Sequence, residues 1–241
     1  MKTLKMKKKK TIDHNLFLLE KKLGLKFKDQ DLLKQSLVHR SYLNEHPEFH
    51  LNHNERLEFL GDAVLELITT KFLYQNFDNP EGELTSFRAS LVNTKNLSKV
   101  AQKINLAPYI YLSKGEKKSK GKAKEAILAN TFEALIGAIY LDQGFKPAEN
   151  FIQKNLLPQL EKIIEEKSYK DPKSKFQEIT QEKLKITPVY KLIKESGPDH
   201  SKIFTVGVFL NNELIAQERG RSKHEAELKT ARKALLKIKK L

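Results

Sequence analysis

The sequence predicts a multidomain protein, with an all-α domain followed by a small α+β domain of element order α-β-β-β-α. Residues 11–167 carry apolar residues at helical spacing and no strand-like alternation of any length. Residues 168–172, SYKDP, are polar, and Asp-Pro discourages continuation of a helix. Residues 173–241 change to helix, three strand-like runs and helix. We therefore expect a linker at 168–172 between the two domains.

Six helices are expected in the first domain, and several have recognisable ends. Asp13 would cap the first helix and Gly24 would end it. Pro47 would close the second, and residues 79–82 would form a turn that contains Glu81. The expected helices span residues 11–23, 31–44, 54–76, 83–105, 126–142 and 147–166.

The small domain has clear turn and cap signals. Asn211-Asn212 predicts a two-residue hairpin turn. Ser222 and Glu225 have the spacing of a capping box at the start of the last helix. The expected elements are a helix at 173–183, strands at 189–195, 204–210 and 214–218, and a helix at 222–239.

Charge and composition narrow the possible partners. The net charge is +15, of which residues 1–10 supply +6 and residues 171–241 supply +7. An excess of positive charge on a tail and on the C-terminal third favours a polyanion partner, although the lysine tail alone is equally compatible with a role in solubility. The chain has no cysteine, no apolar run long enough for a membrane span and no signal-peptide core. We expect a cytoplasmic protein with no membrane partner.

The third helix carries an unusual row of acids. Glu55, Glu58 and Asp62 are three and four residues apart, so they share one side of a helix. Stacked like charges cost stability, whereas a row of carboxylates suits a hard divalent cation. A separate apolar stripe predicts the buried side, with members Leu57, Leu60, Val64 and Leu67.

A second helix could complete a cation site. Asn130 and Glu133 share a face of the helix at 126–142. The small residues Gly61, Ala134 and Gly137 would let the two helices pack closely. Mg²⁺ held there could activate a water and stabilise a leaving oxygen in phosphodiester hydrolysis. The alternative is that these acids are ordinary surface residues.

Two further segments leave alternatives open. The spacing of His46, His50 and His53 would suit a transition metal, but no fourth ligand is apparent, so a polar loop is favoured. Residues 114–124, KGEKKSKGKAK, contain six lysines and form either an exposed flexible loop or a phosphate-contacting loop.

Two strings resemble the ribonuclease III family, which cleaves double-stranded RNA. They are NERLEFLGDAVLELI at 54–68 and KEAILANTFEALIGAIYLD, which ends at Asp142. The last third resembles a double-stranded RNA-binding domain, and Gly220, Ser222, Lys223 and Glu225 strengthen that likeness. The resemblance implies a basic tail at 1–10, an all-helical endonuclease domain at 11–167 and an RNA-binding domain at 173–241.

The resemblance also implies site residues and chemistry. Glu58, Asp62, Asn130 and Glu133 would bind metal, with Asp62 and Glu133 as the most critical catalytic positions. Glu55 and Glu81 would be accessory acids at the periphery. Mg²⁺ would be the cofactor, with Mn²⁺ able to substitute and no small-molecule cofactor.

The implied activity is an endoribonuclease that leaves 5′-phosphate and 3′-hydroxyl ends with short 3′ overhangs. Such enzymes are homodimers with one site per subunit, built partly from the helix at 54–76. Ribosomal RNA precursors, duplex regions of messages and other structured transcripts are the expected substrates.

Binding of duplex RNA calls for two separated contact patches, because proteins meet 2′-hydroxyls and phosphates across successive minor grooves. Gln177 and Gln181 would enter one groove, and the loop at Pro198 and His200 the next. Ser222 and Lys223 would hold phosphates at a helix N-terminus. For each residue, the alternative is a plain surface side chain.

One position departs from the family pattern. Asn130 stands where the family often has Asp, so one potential ligand brings no negative charge. Two functions follow: a Mg²⁺-dependent endoribonuclease, or a duplex-binding protein that keeps the fold but has lost the chemistry. We favour the enzyme, because Glu58, Asp62 and Glu133 are all present.

Overall fold

The computed structural model describes residues 14–166, 169, 171–198 and 201–238. It divides into two compact units, residues 1–166 and residues 167–241. The expected N-terminal tail, the Asp13 cap, His200 and residues 167, 168 and 170 at the start of the second unit lie outside the described part. In that part, no helix is long and apolar enough to cross a membrane.

The first unit is helical. Two single turns of 3₁₀ helix, Ala107–Tyr109 and Glu116–Lys118, lie between its helices. Its helices are α1 His14–Leu23, α2 Gln30–Ser36, α3 Arg40–Glu45, α4 Glu55–Asn76, α5 Glu81–Val92, α6 Thr94–Lys103, α7 Lys122–Gln143, α8 Phe145–Asn155 and α9 Pro158–Glu165.

Two long helices, α4 and α7, form the centre of this unit. Each has 22 residues, and they pack along each other more extensively than any other described pair of elements. A Cβ on Gly61 would overlap the Glu133 carbonyl oxygen, and a Cβ on Gly137 would overlap the Leu57 carbonyl oxygen. The two backbones therefore touch, because only glycine leaves room for this contact.

An ion triad attaches α8 to α4. Glu149 on α8 is buried and accepts hydrogen bonds from Lys146 at 2.7 Å and from Lys71 of α4 at 2.8 Å. These bonds, chiefly the one from Lys146, lower the pKa of Glu149. Lys71 also lies over the Phe145 ring, 5.2 Å from its centre. The triad satisfies a buried carboxylate with two charged donors.

The predicted helix at 31–44 is wrong as a single element. The structure divides it into α2 and α3, because Val38 leaves the helix and forms an isolated parallel bridge with Tyr111. The His39 amide donates to the Tyr111 carbonyl at 3.1 Å, and the Tyr111 amide donates to the Leu37 carbonyl at 2.9 Å. The His39 ring then caps α3 by accepting from the Ser41 amide at 3.3 Å.

Two other long helices are also divided. The predicted helix at 83–105 breaks at Asn93, whose side chain caps α6 by accepting from the Asn96 amide at 3.0 Å. The predicted helix at 147–166 becomes α8 and α9, and Pro158 occupies the first turn of α9. Glu81 lies in the first turn of α5 instead of a turn before it.

The buried side of α4 is also rotated from the predicted stripe. Leu67 is 59% exposed, and Leu60 is only partly buried. Leu65 and Ile68 are buried in their place, together with Leu57 and Val64. The reason is the close contact at Gly61, which turns that side of the helix toward α7.

The second unit has the predicted order of elements. Its sheet is antiparallel with strand order β1-β2-β3, and both helices pack on one face. Asn211 and Asn212 both have positive φ, at 47° and 68°, as a type I′ hairpin turn requires. The elements are α10 Pro172–Leu184, β1 Val189–Ser196, β2 Ile203–Leu210, β3 Glu213–Gly220 and α11 Lys223–Ile238.

Candidate active site

Three carboxylates from α4 and α7 lie within electrostatic reach of one another. Glu58 and Asp62 are one turn apart on α4, and Glu133 projects from the stretch of α7 that touches Gly61. The charges of Asp62 and Glu58 both act on Glu133. The structure therefore brings Asp62 and Glu133, the two positions with the strongest catalytic expectation, to one place.

The cluster is electrostatically unfavourable as it stands. Burial, and then the charges of Asp62 and Glu58, raise the pKa of Glu133 to about 8. Burial and the charges of Glu55 and Asp62 also raise the pKa of Glu58, against a hydrogen bond from Asn130 that lowers it. Folding has thus placed like charges together in a partly desolvated position.

Asn130 belongs to the same group. Its side chain makes a hydrogen bond with the Glu58 side chain. A carboxylate only accepts, so the Asn130 amide N–H is the donor. The amide thus positions Glu58 without adding a fourth negative charge.

The two accessory acids differ in their relation to this group: the charge of Glu55 acts on Glu58, whereas that of Glu81 does not. Glu55 sits one turn before Glu58, with an oxygen 3.6 Å from the Arg40 guanidinium and another 3.7 Å from the His53 ring. Glu81 accepts from the Thr85 hydroxyl at 3.0 Å and lines a cavity of about 470 Å³ beside Tyr74 and Arg88. Its charge is not among those that act on Glu58 or Glu133.

Sequence reasoning missed Arg40 as a partner of Glu55. The two residues are 15 positions apart, and Arg40 lay inside a predicted continuous helix. Only the break at Val38, which depends on the distant Tyr111, turns Arg40 toward α4. No local signal could have revealed this pair.

The three loop histidines do not converge. His46 lies 3.5 Å from Glu48, His50 lies 3.8 Å from Asp31, and His53 faces Glu55. In the part of the chain that the structure describes, no three histidine, aspartate or glutamate residues are gathered closely enough to hold a metal as they stand. The three carboxylates of the cluster are therefore not drawn together into a closed metal site. Among the described residues, the histidines do not form a transition-metal site either.

Comparison with known proteins decides the family. A family model described as ribonuclease-III-like matches residues 29–160, and one described as the double-stranded RNA binding motif matches residues 172–238. The protein named Ribonuclease 3 from Treponema denticola is 47% identical over 89% of this chain and 87% of its own length. Its counterpart from Nitratiruptor sp. is 45% identical over 90% and 93%.

The chain belongs to the ribonuclease III family. Solved structures agree: the nuclease domain of ribonuclease III from Campylobacter jejuni has a TM-score of 0.53 and 38% identity, covering 63% of this chain and 96% of that chain. A second structure of that domain, whose description concerns a flexible region involved in dimer formation, has a TM-score of 0.51 and 42% identity, covering 58% and 96%.

Family membership establishes the class of activity. The protein is an endoribonuclease with a double-stranded RNA-binding domain, and double-stranded RNA is its partner. The family is generally metal-dependent, which agrees with an open group of oxygen donors at the contact of α4 with α7.

The predicted RNA contacts of the small domain lie at several places on it. Gln177 and Gln181 are exposed on α10, and the Gln181 amide donates to the Thr187 hydroxyl at 3.1 Å. Pro198 is exposed in the loop after β1. His200 lies outside the described residues.

Ser222 and Lys223 sit at the N-terminus of α11. The Ser222 hydroxyl accepts from the Glu225 amide at 3.1 Å, and the Glu225 carboxylate accepts from the Arg221 amide at 2.8 Å. The first bond of the predicted capping box is present. In the second bond, Glu225 accepts from the Arg221 amide instead of the Ser222 amide. The Lys223 ammonium lies 3.6 Å from Glu195, so an RNA phosphate would compete with that carboxylate.

The lysine-rich segment of the nuclease unit is more ordered than a flexible loop. Residues 116–118 form a 3₁₀ turn, and α7 already begins at Lys122, so Lys122 and Lys124 are helical. The Lys114 amide donates to both carboxylate oxygens of Glu45, at 3.2 and 3.1 Å. This segment leads directly into the helix that carries Asn130 and Glu133.

Proposed function

We propose that this protein hydrolyses phosphodiester bonds of double-stranded RNA in a Mg²⁺-dependent reaction at the cluster of Glu58, Asp62, Asn130 and Glu133. The products would carry 5′-phosphate and 3′-hydroxyl ends and short 3′ overhangs. The observation that carries this proposal is the group of three mutually repelling carboxylates at the contact of α4 and α7. Such an arrangement costs stability unless a cation balances it.

The donor set fits Mg²⁺. Three carboxylates and one amide oxygen are hard ligands, and Mg²⁺ keeps several waters besides a few protein oxygens. When bound, Mg²⁺ would activate a water and stabilise the charge on the leaving oxygen. Mn²⁺, which accepts the same ligand types, would substitute.

The protein groups would divide the remaining work. Asp62 and Glu133 approach from two helices, so their relative position depends on the backbone contact at Gly61. The Asn130 amide favours the ionised form of the Glu58 carboxylate by donating to it. Glu55, beside the Arg40 guanidinium, and Glu81, in its separate cavity, would act on RNA at the periphery of the site.

The exposed side of α4 supports a homodimer, which we propose has one site per subunit. Phe59 is 82% exposed, Leu67 59% and Tyr74 80%. Their spacings of eight and seven residues put all three on one side of the helix, opposite the side that meets α7. Because exposed apolar patches mark interfaces, and because the Campylobacter jejuni domain is described with a dimer-forming region, we propose that this side meets a second copy.

The RNA-binding domain, proposed to span 173–241 after a linker at 168–172, would present duplex RNA to the endonuclease domain at 11–167. Gln177, Gln181, Pro198, His200, Ser222 and Lys223 would contact 2′-hydroxyls and phosphates. Ribosomal RNA precursors and other structured transcripts would be the substrates. The lysines at 1–10 would add electrostatic attraction to RNA.

The test is incubation of the purified protein with a defined RNA duplex, with and without Mg²⁺, followed by analysis of the product ends. We expect cleavage only with the cation, and 5′-phosphates with short 3′ overhangs. Glu133→Ala is the control and should bind duplex without cutting it. An intact duplex at high Mg²⁺ would contradict the proposal.

Asn130 gives a specific reason to keep the second function in view, because it removes one charge from the proposed metal site. A duplex-binding protein without catalysis would bind RNA equally well in the wild type and in Glu133→Ala, and neither would cleave. The same incubation with a defined duplex, with binding measured beside cleavage, distinguishes the two functions.

A further inference from the structure

One face of the sheet in the small domain is uncovered among the described residues. α10 and α11 pack against the other face, where Phe176, Val208, Leu210 and Ala234 are part of the core. Strand pairing puts alternate residues of β1, β2 and β3 on the open side. We call this side the outer sheet face. It has an apolar centre, Val189, Ile193, Phe209 and Leu214, and a basic rim, Lys191, Lys194 and Arg219.

The centre of the outer sheet face is apolar. Val189, Ile193 and Leu214 are 50%, 46% and 43% exposed. A Cβ on Gly207 would lie 2.7 Å from Ile193 Cδ1, 2.8 Å from Leu214 Cδ1 and 3.1 Å from Phe209 Cε2, so these three side chains converge over the glycine. Bulges in β1 and β3 bring Ile193 and Leu214 to this position. Single exposed apolar residues are ordinary, but a converging group indicates a contact surface.

The rim of this face is basic. Lys191 pairs with Gly207, and both Lys194 and Arg219 pair with Thr205, so all three cations lie on the outer side. The Lys191 ammonium is 5.2 Å from the centre of the Phe209 ring. All three side chains are exposed.

The acids of the same strands point the other way. Glu195 lies 3.6 Å from Lys223, and Glu218 lies 2.6 Å from Lys233, both on α11. Glu213 pairs with Leu210, which belongs to the core on the helix side. Among the described residues, the outer sheet face therefore combines an apolar centre with cations and no carboxylate.

Charge and polarity indicate what would cover this face. A second copy would bring the same three cations against these three, which costs free energy. Phosphates would suit the rim but not the apolar centre, and the residues expected to contact RNA lie on the helices and the β1–β2 loop. An amphipathic helix suits both parts of the face, because its apolar stripe can cover the centre while charged residues beside the stripe reach the rim.

We propose that the outer sheet face docks an acidic amphipathic helix of another protein. The apolar stripe of that helix would cover Val189, Ile193, Phe209 and Leu214, and its carboxylates would face Lys191, Lys194 and Arg219. The endoribonuclease could thereby hold a protein partner while the opposite side of the same domain holds duplex RNA.

The test uses the full chain and a fluorescein-labelled helical peptide of about five turns. The peptide has leucines at i, i+3, i+4 and i+7 and glutamates elsewhere, and a matched peptide has lysine in place of every glutamate. We expect fluorescence anisotropy to show at least about tenfold tighter binding of the acidic peptide, with an affinity that falls as salt rises.

Variants locate the binding site. Lys191→Glu combined with Lys194→Glu should weaken the acidic peptide about tenfold and strengthen the lysine peptide. Leu214→Ser and Val189→Ser should each weaken both peptides, and either one suffices if the other fails to fold. Arg232→Glu, an exposed cation on α11, is the matched control and should leave peptide affinity unchanged. Cleavage of duplex RNA should be unchanged in the three sheet-face variants.

Five results would overturn the proposal, and the first four concern the peptides, the variants and self-association. They are equal affinity for both peptides, an equal loss of affinity in Arg232→Glu, loss of duplex RNA binding in the double charge reversal, and self-association in sedimentation that Leu214→Ser abolishes. The third result would assign the face to RNA and the fourth to a second copy. Tighter binding of anionic lipid vesicles than of the acidic peptide would likewise overturn it.

Discussion

At the scale of single residues, Asn130 changes the electrostatics of the site more than its shape. Its amide donates to Glu58, an interaction that an aspartate could not make in its ionised form. Asp62 already raises the pKa of both Glu58 and Glu133, and a further carboxylate at position 130 would add to this repulsion. Compared with an aspartate, the amide attracts a cation less strongly, but it leaves the metal-free protein more stable.

Asn130→Asp tests this exchange. We expect the Mg²⁺ concentration for half-maximal cleavage to fall by about threefold to tenfold, because an added carboxylate attracts the cation. The metal-free melting temperature at pH 8 should fall as well. Asn150→Asp makes the same chemical change at an exposed position of α8 and should alter neither quantity. A metal requirement that does not change would show that residue 130 takes no part in binding the cation.

Glu133 gives a prediction for stability against pH. Its pKa is about 8 in the folded protein and near 4.5 in the unfolded chain, so the folded state binds the proton more tightly. Its stabilising contribution is therefore complete below pH 4.5 and is lost as pH rises through 8. Glu133→Gln, which stays neutral, should melt at the same temperature as the wild type near pH 4.5 and several degrees higher at pH 9 without metal.

The size of this difference should be about 1–2 kcal/mol, because solvent screens a partly exposed carboxylate. Mg²⁺ should remove the difference by binding the wild type at the cluster. Cleavage by Glu133→Gln should be lost throughout. If the melting difference is the same at pH 4.5 and pH 9, Glu133 does not carry the raised pKa.

At the scale of elements, the contact of α4 with α7 should tolerate no methyl group at Gly61. Gly61→Ala would force the backbones apart, and we expect a loss of about 3 kcal/mol in urea unfolding together with reduced cleavage per folded molecule. Gly82→Ala is the matched control, since a Cβ there meets nothing within 4 Å and Gly82 lies in the first turn of α5. Equal stability of the two variants would contradict the close contact.

The sequence predicts most elements but not where several helices break. Helical spacing and the turn residues located α4, α7 and every element of the small domain to within a few residues. The break at Val38 depends on pairing with Tyr111, more than 70 residues away, which no local pattern records. Asn93 and Pro158 are local signals that the long apolar repeat outweighed in the prediction.

In the candidate site too, the sequence indicates some features, whereas others depend on contacts between distant residues. The acids of α4, and the residues of α7 expected to face them, were identifiable from spacing and resemblance. The hydrogen bond from Asn130 to Glu58, and the pairing of Glu55 with Arg40, depend on how helices meet in three dimensions. Leu67 was assigned to the core because its spacing fitted, whereas its exposure leaves it available for a partner.

At the scale of the whole molecule, the exposed side of α4 should determine the oligomeric state. Phe59→Arg would place a charge in the centre of the proposed interface, so we expect the dimer to become a monomer in sedimentation velocity. Leu236→Arg alters an equally apolar residue, 67% exposed on α11, and should leave the dimer intact. A wild-type protein that sediments as a monomer, or a Phe59→Arg variant that remains dimeric, would reject this interface.

The two glycines where α4 meets α7 have a consequence for how this enzyme can change over evolutionary time. Because the two backbones are in contact there, the distance between the acidic side chains does not depend on which leucines and isoleucines fill the surrounding core. Substitutions at the neighbouring apolar positions should lower only the folding stability. Residues 61 and 137 admit only glycine. A saturation library scored separately for abundance and for turnover should show broad tolerance at the apolar positions around the two glycines and none at the glycines themselves.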